Sequence, residues 1–212
     1  MRPGERPVEL VDLQGAWRRD GRSLSDHPLV EVADVLWLQV GRYFCDLRTR
    51  LAPDEPTHVL DQPQAFSGTV IVSEGRISFH HDLDSLARDP AYPDEGTVHR
   101  KENVMYERGP GFEERWVAAS LPGDDIAIAE FRPPGVGDGA PLARLLRIGP
   151  VVVAVWAGAT AGGGQFTKAK GWLAERLLHG DGSTMSSDEA AHCIGLEEPL
   201  PSGWVSVDPG EV

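Results

Sequence analysis

The segment from Val35 to Arg48 combines side chains that bind small molecules with side chains that move protons. It reads VLWLQVGRYFCDLR, and Gly41-Arg42 at its centre fits a two-residue type II′ turn, which places glycine first. Because side chains alternate along a strand, one face of the predicted hairpin carries Val35, Trp37, Gln39, Phe44, Asp46 and Arg48. The opposite face carries Leu36, Leu38, Val40, Tyr43, Cys45 and Leu47.

The mixed face of this hairpin suits two kinds of chemistry. Aromatic rings with a few convergent polar groups are typical of small-molecule pockets, and Arg48 suits a ligand carboxylate or carbonyl. Asp46 is a candidate acid or base. We expect this face to line a barrel, because exposing Trp37 and Phe44 together to water is costly. The alternative is an outward-facing ribbon, on which an Asp46–Arg48 ion pair contributes little.

Two adjacent histidines, His80 and His81, form a second candidate group. Neighbouring residues on a strand point to opposite faces, so both cannot ligate one ion, and we predict no metal site. Alternation places His80 on the same side as Asp82, away from His81. We take His80 as a candidate acid or base; the alternative is an exposed or structurally bonded histidine.

A third group surrounds Glu114. Glu114 and Trp116 share one strand face, and Tyr106 and Glu107 belong to the preceding predicted strand. A carboxylate inside an apolar barrel has a raised pKa or pairs with arginine; the alternative is an exposed acidic face. The candidate catalytic residues are therefore His80, Asp46 and Glu114. The candidate ligand-binding residues are Trp37, Gln39, Phe44, Arg48, Tyr106 and Trp116.

Short strands separated by turns are the elements that must position these groups. Glycine, proline and aspartate interrupt strand-like runs of four to nine residues. The predicted strands are Ala16–Arg19, Asp34–Val40, Tyr43–Arg50, Ala65–Ser73, Arg76–Leu83, Glu102–Glu107, Glu113–Ser120, Asp125–Phe131, Leu142–Ile148 and Val151–Trp156. Their spacing predicts an all-β protein built as a single antiparallel β-barrel of about eight to ten strands.

One helix is predicted, over Gln165–His179, because apolar residues there recur at three- and four-residue steps. The glycine-rich run 158–164 before it lacks the Gly-Lys-Ser/Thr ending of a phosphate loop and predicts a flexible connector. We expect the helix to pack outside the barrel. Residues 1–180 then form barrel and helix, and 181–212 form an acidic, partly irregular segment.

Composition narrows the range of partners. The chain has 212 residues, with 20 Lys and Arg against 33 Asp and Glu, a net charge of −13. This charge disfavours nucleic acids and anionic membranes. Only two cysteines are present, and no signal peptide or long apolar segment is visible, so we expect a cytoplasmic protein.

The order of several motifs resembles a lipocalin-like (calycin) family of mostly uncharacterised bacterial and fungal proteins. The resemblance covers roughly Leu13 to Ala119. Its main motif is Trp37, Leu38 and Gln39 followed by Asp46 and Arg48. The other motifs are Gly15 to Arg19, Phe66-x-Gly68, Phe79 to Asp82, Asp94-x-Gly96, Tyr106-Glu107 and Glu113 to Trp116. It implies an antiparallel barrel around a ligand cavity and brings no established activity.

Two functions remain open from the sequence. The first is binding of a small, largely apolar or amphipathic molecule that carries a polar anchor group. The second is cofactor-independent catalysis in the same cavity, of the isomerase, cyclase, hydratase or dehydratase type. Neither requires a cofactor, and we expect a monomer or homodimer.

Overall fold

The computed structural model describes residues 4–24, 28–31, 33–50, 64–85, 93–119, 126–132, 141, 143–156, 162–167, 173–179 and 204–208. Its one short helix is α1, Leu10–Leu13. The strands are β1 Arg6–Pro7, β2 Gly15–Leu24, β3 Ala33–Val40, β4 Tyr43–Arg50, β5 Gln64–Ser73, β6 Arg76–Asp84, β7 Asp94–Lys101, β8 Val104–Gly109, β9 Phe112–Ala118, β10 Ile126–Phe131, β11 Ala143–Ile148, β12 Val151–Trp156, β13 Gly162–Thr167, β14 Leu173–His179 and β15 Trp204–Ser206.

Strands β2 to β9 form a closed antiparallel barrel of eight strands. Each pairs with the next along the chain, and β9 returns to pair with β2. Strand β1 adds to β7 beyond the residues that pair with β6. This all-β, closed arrangement is consistent with a lipocalin-like fold and confirms the predicted barrel.

The hairpin of β3 and β4 has the predicted register. Val40 pairs with Tyr43 and Trp37 with Asp46, and the pairing continues to Val35 and Arg48. Gly41 has a φ of 55° in the turn, a conformation that glycine adopts without steric cost.

The two faces of this hairpin belong to two different cores. The mixed face lies in the barrel lumen, where it packs with apolar side chains from the other barrel strands, among them Val70, Ile77, Val98 and Met105. The apolar face lies outside the barrel and packs against a second sheet through residues such as Leu146 and Val153. Both faces are therefore buried.

The second sheet has six strands in the order β14-β13-β12-β11-β10-β15 and packs on the barrel wall formed by β3 to β6. The predicted helix over Gln165–His179 is wrong, because β13 and β14 run through this segment as an antiparallel pair. Strand pairing with β12 outweighs a helical periodicity that Gly171 already weakens. The predicted strands from residue 126 to 156 likewise belong to this sheet and not to the barrel.

Glycines let the second sheet approach the barrel closely. A Cβ added at Gly163 in β13 would lie 2.3 Å from the Cβ of Ala65 in β5, so no side chain fits there. Gly162 to Gly164 therefore lie in a packed strand; the rest of the predicted connector, 158–161, lies outside the described residues. Most of the acidic segment 181–212 also lies outside them, except for β15 and the two residues after it.

A buried arginine joins the two sheets. Arg144 in β11 donates hydrogen bonds to Glu130 at 2.6 and 2.9 Å, to Ser67 at 3.1 Å and to Asp82 at 2.6 Å. Ser67 and Asp82 belong to the barrel and Glu130 to the second sheet. In the described part of the chain, no helix is long and apolar enough to cross a membrane.

Candidate functional site

Aromatic rings form the apolar part of the lumen. Trp37 contacts Trp116 and Phe79 edge to face, with ring centroids 5.4 and 5.5 Å apart. Phe44 makes the same kind of contact with Phe79 at 5.1 Å and with Phe66 at 6.0 Å. Five strands, β3 to β6 and β9, thus contribute rings to one continuous aromatic wall.

Asp46 and Arg48 form a buried ion pair on this wall. The Arg48 Nε donates to Asp46 Oδ1 at 2.9 Å and Nη2 donates to Oδ2 at 3.3 Å. The guanidinium also lies 4.8 Å from the Phe66 ring centroid. Burial raises the pKa of Asp46, and Arg48 opposes this. Burial alone would lower the pKa of Arg48, but the Asp46 and Glu114 carboxylates outweigh it, so the guanidinium stays charged.

A second buried ion pair joins the neighbouring strands β2 and β9 on the lumen wall. Arg19 donates to Glu114 at 2.8 Å and to Glu31 at 2.9 Å through two hydrogen bonds. Arg22 approaches the same Glu114 oxygen to 3.4 Å. Burial alone would lower the pKa of Arg19, but these carboxylates raise it overall. Glu114 is therefore held as the partner of two arginines.

Because adjacent side chains of β6 point to opposite faces, only one of the two histidines lies in the lumen. His81 lies inside, where its Nε2 is 3.0 Å from Asp94 and its Nδ1 is 3.3 Å from Asp84. His80 lies on the exposed outer face of β6. Tyr106 also points outward, because its neighbours Met105 and Glu107 point into the lumen.

Gln39 orients the Trp37 ring. Trp37 Nε1 donates to Gln39 Oε1 at 3.1 Å, and Gln39 Nε2 donates to the Gly41 carbonyl at 2.8 Å. Trp17, a further lumen tryptophan, donates its Nε1 hydrogen to the Leu13 carbonyl at 2.7 Å. The polar atoms of these rings are thus satisfied within the protein.

In the described part of the lumen, two polar side chains, Trp116 and Glu107, lack the hydrogen-bond partners that the residues above have. Trp116 is 1% exposed, and its Nε1 has no hydrogen-bond acceptor among the described residues. Glu107 is 5% exposed, and no described residue donates a hydrogen bond to it or forms an ion pair with it. Burial raises the pKa of Glu107 well above its usual value; Glu114, Asp94 and Asp46 raise it further, and Arg48 opposes them.

The structure brings seven of the nine candidate residues together in the lumen. These are Trp37, Gln39, Phe44, Asp46, Arg48, Glu114 and Trp116. It does not bring His80 or Tyr106 there. Sequence reasoning did not select Arg19, Phe66, Phe79 and His81, and it left Glu107 without a role. Extending the hairpin alternation across the barrel pairs could have selected Phe66 and Glu107.

No group of three or more His, Cys, Asp or Glu side chains suited to a metal ion occurs within the described residues. No protein-family model, curated protein or solved structure matches the chain significantly.

Proposed function

We propose that the barrel binds a small, largely apolar molecule in its lumen, held by polar groups on the lumen wall. The observation that carries this proposal is the mixed face of the β3–β4 hairpin, which lies inside the barrel with its aromatic rings and its buried ion pair. Lipocalin-like barrels of this closed type are suited to enclosing one ligand. The resemblance to the lipocalin-like family supports the same conclusion.

Binding is tested by thermal shift against a panel of terpenoids, aromatic ketones and fatty acids. A ligand that binds only the folded state raises the melting temperature in proportion to its concentration over Kd. Val70→Phe adds volume inside the lumen, and Ile71→Phe places the same new side chain on the exposed outer face of the same strand. We expect the first variant to lose the shift and the second to keep it.

An independent measurement covers the case in which Val70→Phe folds poorly. In the wild-type protein, a lumen ligand shifts the indole N–H resonances of Trp37 and Trp116. No stabilising compound across the panel, together with unchanged indole resonances, would overturn the proposal.

Catalysis in the same lumen is the second candidate function, and one observation favours it. Several titratable groups converge there, and the raised pKa of Glu107 keeps a proton available to a bound molecule. This suits a cofactor-independent isomerase, cyclase, hydratase or dehydratase. Asp46 and Glu114 are already paired with arginines, so they would position charge while Glu107 acts as the acid. Mass spectrometry of each recovered ligand distinguishes the two functions, because catalysis returns an altered compound.

A further inference from the structure

Trp116 and Glu107 are neighbours on the lumen wall. In the β8–β9 ladder Met105 pairs with Trp116 and Glu107 pairs with Glu114. Glu107 and Trp116 are therefore diagonal neighbours on one face, a relation that places residues roughly 7–8 Å apart. Their side chains therefore project into the lumen from adjacent positions on the same wall.

The other lumen tryptophans show that the unpartnered indole is a local feature. Trp37 and Trp17 each have an acceptor for Nε1 within the protein, at 3.1 and 2.7 Å. The Trp116 nitrogen is as buried as theirs and has none among the described residues. A buried donor without an acceptor destabilises the protein, so a ligand acceptor at this position is favoured.

The charges around the pair argue against an ionic ligand. The charged groups that act most strongly on Glu107 are the carboxylates of Glu114, Asp94 and Asp46 and the guanidinium of Arg48. Arg19 is bonded to Glu114, His81 to Asp94, and Arg48 to Asp46. A ligand carboxylate would add a further negative charge beside three carboxylates. A ligand ammonium has only donors and would leave the Trp116 N–H without an acceptor.

We propose that Trp116 Nε1 and the Glu107 carboxyl group together bind the carbonyl oxygen of a neutral apolar ligand. A carbonyl oxygen has two lone pairs, which match one indole donor and one protonated carboxyl donor. The remainder of the ligand then lies against Trp37 and Phe79. This inference rests on the proposed function and narrows its ligand to one chemical class.

Four naphthalene derivatives of similar size test the inference: methyl naphthyl ketone, isopropylnaphthalene, naphthoate and naphthylethylammonium. Binding of each to the full chain is measured by titration. We expect the ketone to bind about tenfold more tightly than the hydrocarbon, the value of one or two neutral hydrogen bonds. We expect Trp116→Phe to remove most of this difference, so that the ratio of the two affinities falls toward one.

The role of Glu107 as a hydrogen-bond donor is tested with two substitutions and with the pH dependence of ketone binding. Glu107→Gln keeps a neutral donor, so it should retain the ketone preference, whereas Glu107→Ala should lose it. In the wild type the affinity for the ketone should fall as the pH rises through the raised pKa of Glu107, and in Glu107→Gln it should not. A purely structural role for Glu107 would not give this difference in pH dependence. The carbonyl stretching band of the bound ketone should shift to lower frequency in the wild type and less in Trp116→Phe.

The outcomes separate the two proposals. Equal binding of ketone and hydrocarbon, or tighter binding of the anion or the cation, would overturn the carbonyl inference and leave the lumen as a binding site. An unchanged ketone preference in Trp116→Phe, with that variant folded by circular dichroism, would also overturn it. Binding of none of the four compounds would count against both proposals.

Discussion

Among the described residues, Arg48 alone donates hydrogen bonds to the Asp46 carboxylate, which is 3% exposed, and Arg48→Ala removes them. If Asp46 then takes up a proton, the free energy of protonating it at pH 7 is set by the difference of about 3 units between pH 7 and its usual pKa of about 3.9. That difference corresponds to about 4 kcal/mol. Loss of the contact between Arg48 and the Phe66 ring adds about 0.5–1 kcal/mol. We therefore expect Arg48→Ala to lower the free energy of unfolding by about 3–5 kcal/mol.

Urea denaturation followed by tryptophan fluorescence measures this loss. Arg18→Ala is the matched control, because Arg18 and Asp34 form an Arg–Asp pair of 2.7 Å with side chains 44% and 34% exposed. We expect the control to lose less than about 1 kcal/mol. The double substitution Arg48→Leu with Asp46→Leu should cost less than Arg48→Ala alone, since it leaves no buried charge.

The pH dependence of the free energy of unfolding provides a second test of the Asp46–Arg48 ion pair. Without Arg48 the pKa of Asp46 rises further above its unfolded value, so the stability that Asp46 contributes is present at low pH and is lost as the pH rises. The deficit of Arg48→Ala relative to wild type should therefore be smaller near pH 5 than near pH 7. A loss below about 1 kcal/mol at pH 7, equal to that of Arg18→Ala, would refute the view that a buried charge is left unpaired.

Three further predictions concern single side chains. Burial of Glu107 raises its pKa, so its stabilising contribution is present below the unfolded value of about 4.3 and is lost at higher pH; urea melts should show Glu107→Gln gaining stability over wild type as the pH rises. Burial raises the pKa of the Cys45 thiol to about 12, so in a Cys193→Ser background it should react with a thiol reagent only at the rate of unfolding, and fast reaction in the native state would contradict its burial. Gly163→Ala should destabilise by about 1–3 kcal/mol because its Cβ overlaps Ala65, and Ala65→Gly in the same chain should restore part of the loss in thermal melts.

The local pattern of the hairpin was sufficient to predict its register and its faces. Gly41-Arg42 fixes the turn, and a strict two-residue alternation then sorts every side chain from Val35 to Arg48. The same alternation separates His80 from His81. The choice between them required knowledge of which face closes on the lumen, and this depends on pairing between strands that are distant in sequence.

Two of the strands that sequence analysis did not predict, β7 and β13, carry no strand signal of their own. Strand β7, Asp94–Lys101, is rich in charged residues and has pairing partners on both sides. Strand β13 begins with three glycines, which favour loops in isolation but fit where β12, β14 and the barrel surround them. In both cases tertiary pairing decides the structure, and residue propensity does not.

The burial of both faces of the β3–β4 hairpin has a consequence for mutational tolerance. Most strands of a barrel tolerate polar substitutions at every second residue, where the side chain meets water. Strands β8 and β9 should show this two-residue rhythm in a saturation mutagenesis screen for folded protein, since buried and more exposed positions alternate along them. Strand β3 should show none from Val35 to Val40, because each side chain there meets either the lumen or the second sheet. The hairpin is thus constrained from two sides, and a substitution that improves its fit to a ligand also has to leave the adjoining sheet in register.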